Sequence, residues 1–225
     1  QPAAAPSLCL TMVFQNTAKS RIDADRYASK HLPLLRKIYG DSVERIELRT
    51  TQASAPGMPP SPVIATGHVW IKDVRAFSQA LQAGSAEINR DLDATAKGPR
   101  VSQVDLLVAS AGDPLPEVKS GQQVFMTFFP VQEGKTLDKD YFKANHVAKL
   151  YSIFGAQALR RVEGTFGQDQ GSAKATYVAT TNLYIRDRGA YDDAMKQGMN
   201  DMIDDIKKFT TITPLFSDMR ITAVG

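Results

Sequence analysis

Hydrophobic positions change period several times along the chain, and the changes come twice in the same order. Nearly continuous apolar runs at Leu8–Phe14 and Gln123–Pro130 predict strands covered on both faces. A helical pattern follows each run. Tyr27, His31, Leu34, Leu35 and Ile38 share one face of the first helix, as do Phe142, His146, Leu150 and Ile153 of its counterpart. Second strands are predicted over Val43–Thr50 and Ala158–Thr165, and third strands over Val63–Ile71 and Thr176–Ile185. After a second helix in each half, Val101–Ser110 and Phe216–Val224 close the series. The order β-α-β-β-α-β, read twice, is the ferredoxin-like pattern of an α+β protein.

Self-comparison supports a repeat. Asp23-x-Asp25-x-Tyr27-x-x-x-His31 lies over Asp138-x-Asp140-x-Phe142-x-x-x-His146 at an offset of 146 − 31 = 115, which also sets Gly40 on Gly155. Further on, Trp70-Ile71-Lys72-Asp73 matches Tyr184-Ile185-Arg186-Asp187 at 184 − 70 = 114. Asp23, Asp138, Asp73 and Asp187 read as helix N-caps, because a carboxylate accepts from the free amides of a first turn. Ile22 with Tyr27 and Leu137 with Phe142 have the spacing of a hydrophobic staple, and Gly40 and Gly155 end the first helices. A sheet with both helices on one face leaves its other face bare. Two such halves packed sheet to sheet cover one another, which predicts a barrel within one chain. The expected division is a tail at 1–7, repeats at 8–111 and 122–225, and a linker at 112–121, with a long Pro-rich loop over Ala53–Pro62 that could serve as a lid.

Composition narrows the function. Lys+Arg 27 against Asp+Glu 24 gives +3, with the signs mixed, so no basic stripe for nucleic acid is present. Arg160-Arg161 reads as a solvated strand end. No apolar run reaches the ~18–20 residues of a membrane span. Cys9 is the single cysteine, so no internal disulfide forms; it reads as a small core hydrophobe with no histidine paired to it. The opening Gln1–Ser7 fits either a mature start after signal cleavage or a truncation. The expectation is periplasmic or secreted, otherwise cytoplasmic.

Tyr27-x-x-x-His31-Leu32-Pro33-Leu34 resembles the first-helix motif of the EthD family of the dimeric α/β-barrel superfamily. Phe142-x-x-x-His146-Val147-Ala148-Lys149 keeps the histidine but lacks the proline. The resemblance implies the barrel fold, and relatives that include cofactor-free monooxygenases, isomerases, polyketide cyclases, dehydratases and haem-dependent enzymes.

Candidate chemistry rests on the histidines. His31 and His146 sit on the apolar faces of the first helices, where a half-buried imidazole can be a general acid or base; the competing reading is a structural tie to a backbone carbonyl. His68 lies with Thr66 and Trp70 on one strand face, and Asn182 and Tyr184 repeat the pattern in the second copy. Such a wall suits an apolar ring carrying a few oxygens, or alternatively an interface between the halves. Val63, Ala65 and Val69 are expected on the opposite face. No metal is expected, since Asp23/Asp25 and Asp138/Asp140 are spaced two apart on a helix and cannot converge. A haem is left open, with His31, His68 or His146 as its ligand. The acidic run Asp201–Ile206 reads as an ordinary amphipathic helix.

The function these residues support is an EthD-like small-molecule enzyme without a cofactor, acting on an apolar, aromatic or polyketide-like compound. His31 or His68 moves the proton, and Tyr27 and Trp70 shape one pocket. The rival is a non-catalytic carrier of a hydrophobic ligand. The chain is expected as a monomeric pseudo-dimer or a higher homo-oligomer.

Overall fold

The computed structural model describes residues 7–54, 59–114 and 117–225. Residues 1–6 of the expected tail, 55–58 of the Pro-rich loop and 115–116 of the linker lie outside the described residues.

Eight strands form one closed antiparallel barrel. They are β1 (Leu8–Gln15), β2 (Val43–Thr51), β3 (Val63–Ile71), β4 (Arg100–Gly112), β5 (Gln123–Pro130), β6 (Leu159–Gln168), β7 (Tyr177–Ile185) and β8 (Leu215–Val224). Around the barrel the order is β1-β3-β2-β8-β5-β7-β6-β4. Each half supplies four neighbouring strands in the same internal order. The halves then join edge to edge, β2 to β8 and β4 to β6. Closure leaves no barrel strand with an unpaired edge, so the bare faces of the two sheets become the lumen.

The helices cover the outside. Helix α1 runs through Ala24–Arg26, a π turn at Tyr27–His31 and Leu32–Tyr39; α2 is Val74–Thr95. Helix α3 repeats α1 in Lys139–Tyr141, a π turn at Phe142–His146 and Val147–Phe154; α4 is Arg188–Phe209. All four caps form: Asp23, Asp73, Asp138 and Asp187 accept from the backbone amides of Arg26, Ala76, Tyr141 and Ala190. Gly40 and Gly155 end α1 and α3 at positive φ (52° and 83°), open to glycine at little cost.

The π turns change which residues are buried. A wide turn carries one extra residue, so every later side chain rotates by about 100°. In α1 the buried positions after His31 are Leu32, Leu35 and Tyr39, while Leu34 and Ile38 are only half-buried. In α3, Val147, Leu150 and Phe154 are buried and Ile153 is half-buried. The face expected from uniform helical spacing is therefore corrected beyond each histidine.

Two outer cores result. Under α1 and α2, Phe14, Ile46, Leu48, Ala65 and Val69 pack against Tyr27, Leu35, Phe77 and Leu92. Under α3 and α4, Phe129, Val162, Ala179 and Leu183 pack against Phe142, Leu150, Ile206 and Phe209. Strand residues of opposite parity turn into the lumen. There Val13, Val63, Val124, Met126, Phe128, Met219 and Ile221 form an apolar layer. Val63 belongs here rather than with Ala65 and Val69, because the register shifts between Phe14↔Ala65 and Gln15↔Val63 and turns Val63 over.

Candidate functional site

The sheet separates the candidate residues. Tyr27 and His31 lie outside the barrel between sheet and helices, with Phe142 and His146 placed likewise in the second half. Thr66, His68, Trp70, Asn182 and Tyr184 are buried and point into the lumen, where Tyr184 and Asn182 meet Arg49 across the halves. The single pocket expected from His31 or His68 with Tyr27 and Trp70 does not form. Alternation along β3 sends Ala65, Gly67 and Val69 to the helices and Thr66, His68 and Trp70 the other way.

In the first half, His31 Nδ1 lies 2.8 Å from Asp91 Oδ2 on α2. A carboxylate can only accept, so Nδ1 carries the proton and Nε2 keeps its lone pair. Burial lowers the imidazole below its ordinary value, opposed by the hydrogen bond and charge of Asp91. The ring is therefore neutral near pH 7. It borders a cavity of about 40 Å³ with Leu10, Met12, Leu35, Val69 and Ile88. Tyr27 lines the same cavity, its ring 4.9 Å from that of His31. Among the described residues the hydrogen bond of the His31 ring is made through Nδ1 alone, and none is formed by the Tyr27 hydroxyl. Burial pushes the Tyr27 phenol up, so it stays a donor. Gly67 floors the cavity: a Cβ there would lie 3.4 Å from the Tyr27 oxygen.

The second half repeats the pair and fills the space. His146 Nδ1 lies 2.7 Å from Asp205 Oδ2. Burial lowers this imidazole too, against the opposing pull of Asp205. Three phenylalanine rings crowd it, with Phe142, Phe129 and Phe209 centred 5.5, 6.5 and 4.5 Å from the imidazole. Phe142 takes the place of Tyr27, and Thr181, at 181 − 67 = 114, the place of Gly67.

Asp91 and Asp205 went unnoticed in the sequence, and Asp205 lay inside a run read as merely amphipathic. A signal existed: 205 − 91 = 114 is the offset of the second matched block.

The lumen holds charge rather than a binding wall. Arg49 is fully buried and donates to Asn182 Oδ1 at 2.6 Å, Glu47 Oε1 at 2.9 Å and the Tyr184 hydroxyl at 3.1 Å. Tyr184 donates on to Glu163, which also accepts from Arg161 Nε at 2.8 Å. Burial alone would raise Glu47, but Arg49, His68 and Arg45 together outweigh it and hold the carboxyl at about 2. Arg161 is thus a buried member of this network and not a solvated strand end. Cys9 also has a histidine neighbour, contrary to expectation, with Sγ 3.9 Å from His68 Nδ1. Burial pushes the thiol up and the His68 imidazole well down, so both are neutral and no thiolate nucleophile arises. Asp105, raised by burial to about 6, accepts from Gln103 at 2.6 Å nearby.

A haem does not fit these surroundings. Ligand pockets span roughly 300–1,000 Å³, against about 40 Å³ beside His31. Hydrogen-bonded side chains enclose His68, and phenylalanines enclose His146.

No family model and no curated protein sequence matches this chain. Solved structures do. An anthrone oxidase-like protein aligns over 99% of this chain and 94% of its own, at 8% identity and a TM-score of 0.63. A protein from Lactobacillus acidophilus NCFM, provisionally named a monooxygenase, covers 98% and 95% at 8% identity and a TM-score of 0.59. An EthD-like protein from Ralstonia eutropha JMP134 aligns with 44% of this chain and 89% of its own, at 21% identity and a TM-score of 0.40. The chain has the dimeric α/β-barrel fold, completed within one polypeptide. No helix among the described residues is long and apolar enough to cross a membrane.

Proposed function

We propose that the chain is a small-molecule enzyme of the EthD-like kind, with a site in its first half that needs no cofactor. One observation carries this reading: a neutral imidazole, fixed by a carboxylate, faces an apolar cavity beside a free phenol. In this scheme His31 Nε2 takes a proton from carbon or oxygen of the ligand, and Tyr27 donates to the oxygen on which charge develops. The apolar lining suits an aromatic or polyketide-like ligand. The folded cavity admits only a small group, so a larger ring must displace side chains. Met12, unbranched and flexible, yields most cheaply. The two halves are read as products of a duplication in which the second kept its dyad as a strut and lost its cavity to Phe142, Phe209 and Thr181. The near-absence of polar lining equally favours a second reading, a non-catalytic carrier of a hydrophobic ligand, exported or not.

Anthrone, whose methylene is acidic, tests the reading. In heavy water the protein should speed exchange of the methylene protons above the buffer rate. The rate should rise with pH as His31 loses its proton, with its midpoint below the ordinary imidazole value near 6.5. His31→Gln should lower it by ~10²–10⁴-fold. Equal rates for both proteins would remove His31 from the chemistry, and saturable binding without exchange would favour the carrier.

A further inference from the structure

A third side chain reaches each histidine–aspartate pair, and it comes from the same place in both halves. In the first, an Arg26 terminal nitrogen donates to Asp91 Oδ1 at 2.6 Å, leaving Oδ2 for His31. In the second, Tyr141, at 141 − 26 = 115, donates its hydroxyl to Asp205 Oδ1 at 2.8 Å, leaving Oδ2 for His146. Arginine and tyrosine share neither shape nor charge. What they have in common is a donor long enough to reach this carboxylate from the helix start, so the recurring feature is the orientation of the aspartate. The difference is the source of the positive charge. In the first half it is Arg26 itself, whereas in the second Lys149 and Lys208, 3.3 and 3.8 Å from Asp205 Oδ1, supply it beside the neutral phenol.

We propose that Arg26 is a positioning residue of the His31 site, which orients the Asp91 carboxylate and sets a fixed positive charge behind it. The consequence is a single tautomer, with Nδ1 protonated and Nε2 free, and a lower proton affinity than an unscreened carboxylate would give. The other groups facing the imidazole are Asp91 from α2, Arg100 from β4, and the phenols of Tyr27 and Tyr39 from α1. Arg100 works in the same sense as Arg26, and Asp91 opposes both. The inference rests on the reading of His31 as the base, but its test reads His31 alone and needs no substrate.

The measurement is an NMR pH titration of the His31 ring in the full-length protein, assigned by its loss in His31→Gln. Arg26→Lys should leave the midpoint near that of the wild type. Arg26→Tyr, which installs the residue of the second half, should raise it by ~0.5–1 unit and keep the ring nitrogen shifts of the Nδ1-protonated form. Arg26→Ala should raise the midpoint and mix the tautomers. An unmoved midpoint in Arg26→Tyr with a native spectrum would overturn the proposal, even if Arg26→Ala does not fold. Should His31→Gln keep its exchange activity while Arg26→Tyr still shifts the midpoint, the functional reading fails and the role of Arg26 stands.

Discussion

Gly67 and Thr181 occupy one position in the two halves, and the difference between them bears on whether space exists under the first helix. At Gly67 the missing side chain leaves room for the Tyr27 hydroxyl above the strand. At Thr181 a buried hydroxyl without a partner among the described residues sits beneath a packed phenylalanine cluster. Xenon suits a cavity of this size and largely apolar lining as a probe. Gly67→Thr should abolish the xenon-induced methyl shifts of Leu10, Met12 and Ile88 in the wild type. Xenon shifts that persist in the variant would move the cavity floor elsewhere. His31 and His146 illustrate how much sequence can say at this scale. Their helix and their inward face follow from the Asp caps and the apolar spacing. Their partners on α2 and α4 lie 60 and 59 residues away, beyond any local pattern.

At the scale of the element, the π turn is the feature local spacing misreads. A regular helix through Tyr27–His31 would send Leu34 and Ile38 inward in place of Leu32 and Tyr39. The wide turn instead seats Tyr27, His31, Leu32, Leu35 and Tyr39 against the sheet. Deleting Ser29 should convert the turn to ordinary helix and rotate the following residues by about 100°. Losing their burial should destabilise the protein by ~3 kcal/mol or more in chemical denaturation. A loss below about 1 kcal/mol would show that the helix repacks and that the turn does not set the face. Insertion of one residue costs a helix little in composition, so neither YASKH nor FKANH announces the turn; the fit of the helix to the sheet selects it.

For the whole molecule, closure places charge where no solvent reaches. Arg49 bridges the halves through Asn182 and Tyr184 while Glu47 balances it. Removing one partner of such a pair leaves the other stranded. Glu47→Gln should therefore cost about 3–5 kcal/mol by urea denaturation. A cost under about 1 kcal/mol would mean that Asn182 and Glu163 suffice for Arg49. The repeat Arg45-x-Glu47 and Arg161-x-Glu163, at 161 − 45 = 116, was present in the sequence. Its burial was not legible there, because alternation tells which residues share a face but not whether that face meets water or a second sheet.

By itself the sequence determined the elements and their order. Caps, helix-ending glycines and the period of apolar residues act over a few residues, and the doubled β-α-β-β-α-β pattern leaves two bare sheet faces that must be covered. Only the tertiary structure decided the side of the sheet on which each histidine lies. It set the sheet between His31 and His68, supplied Asp91 and Asp205 from distant helices, and turned the polar face of β3 into a sealed, charged lumen. Those outcomes depend on edge-to-edge strand pairing and on cavity volumes, which are sums over contacts far apart in the chain and leave no mark on local spacing.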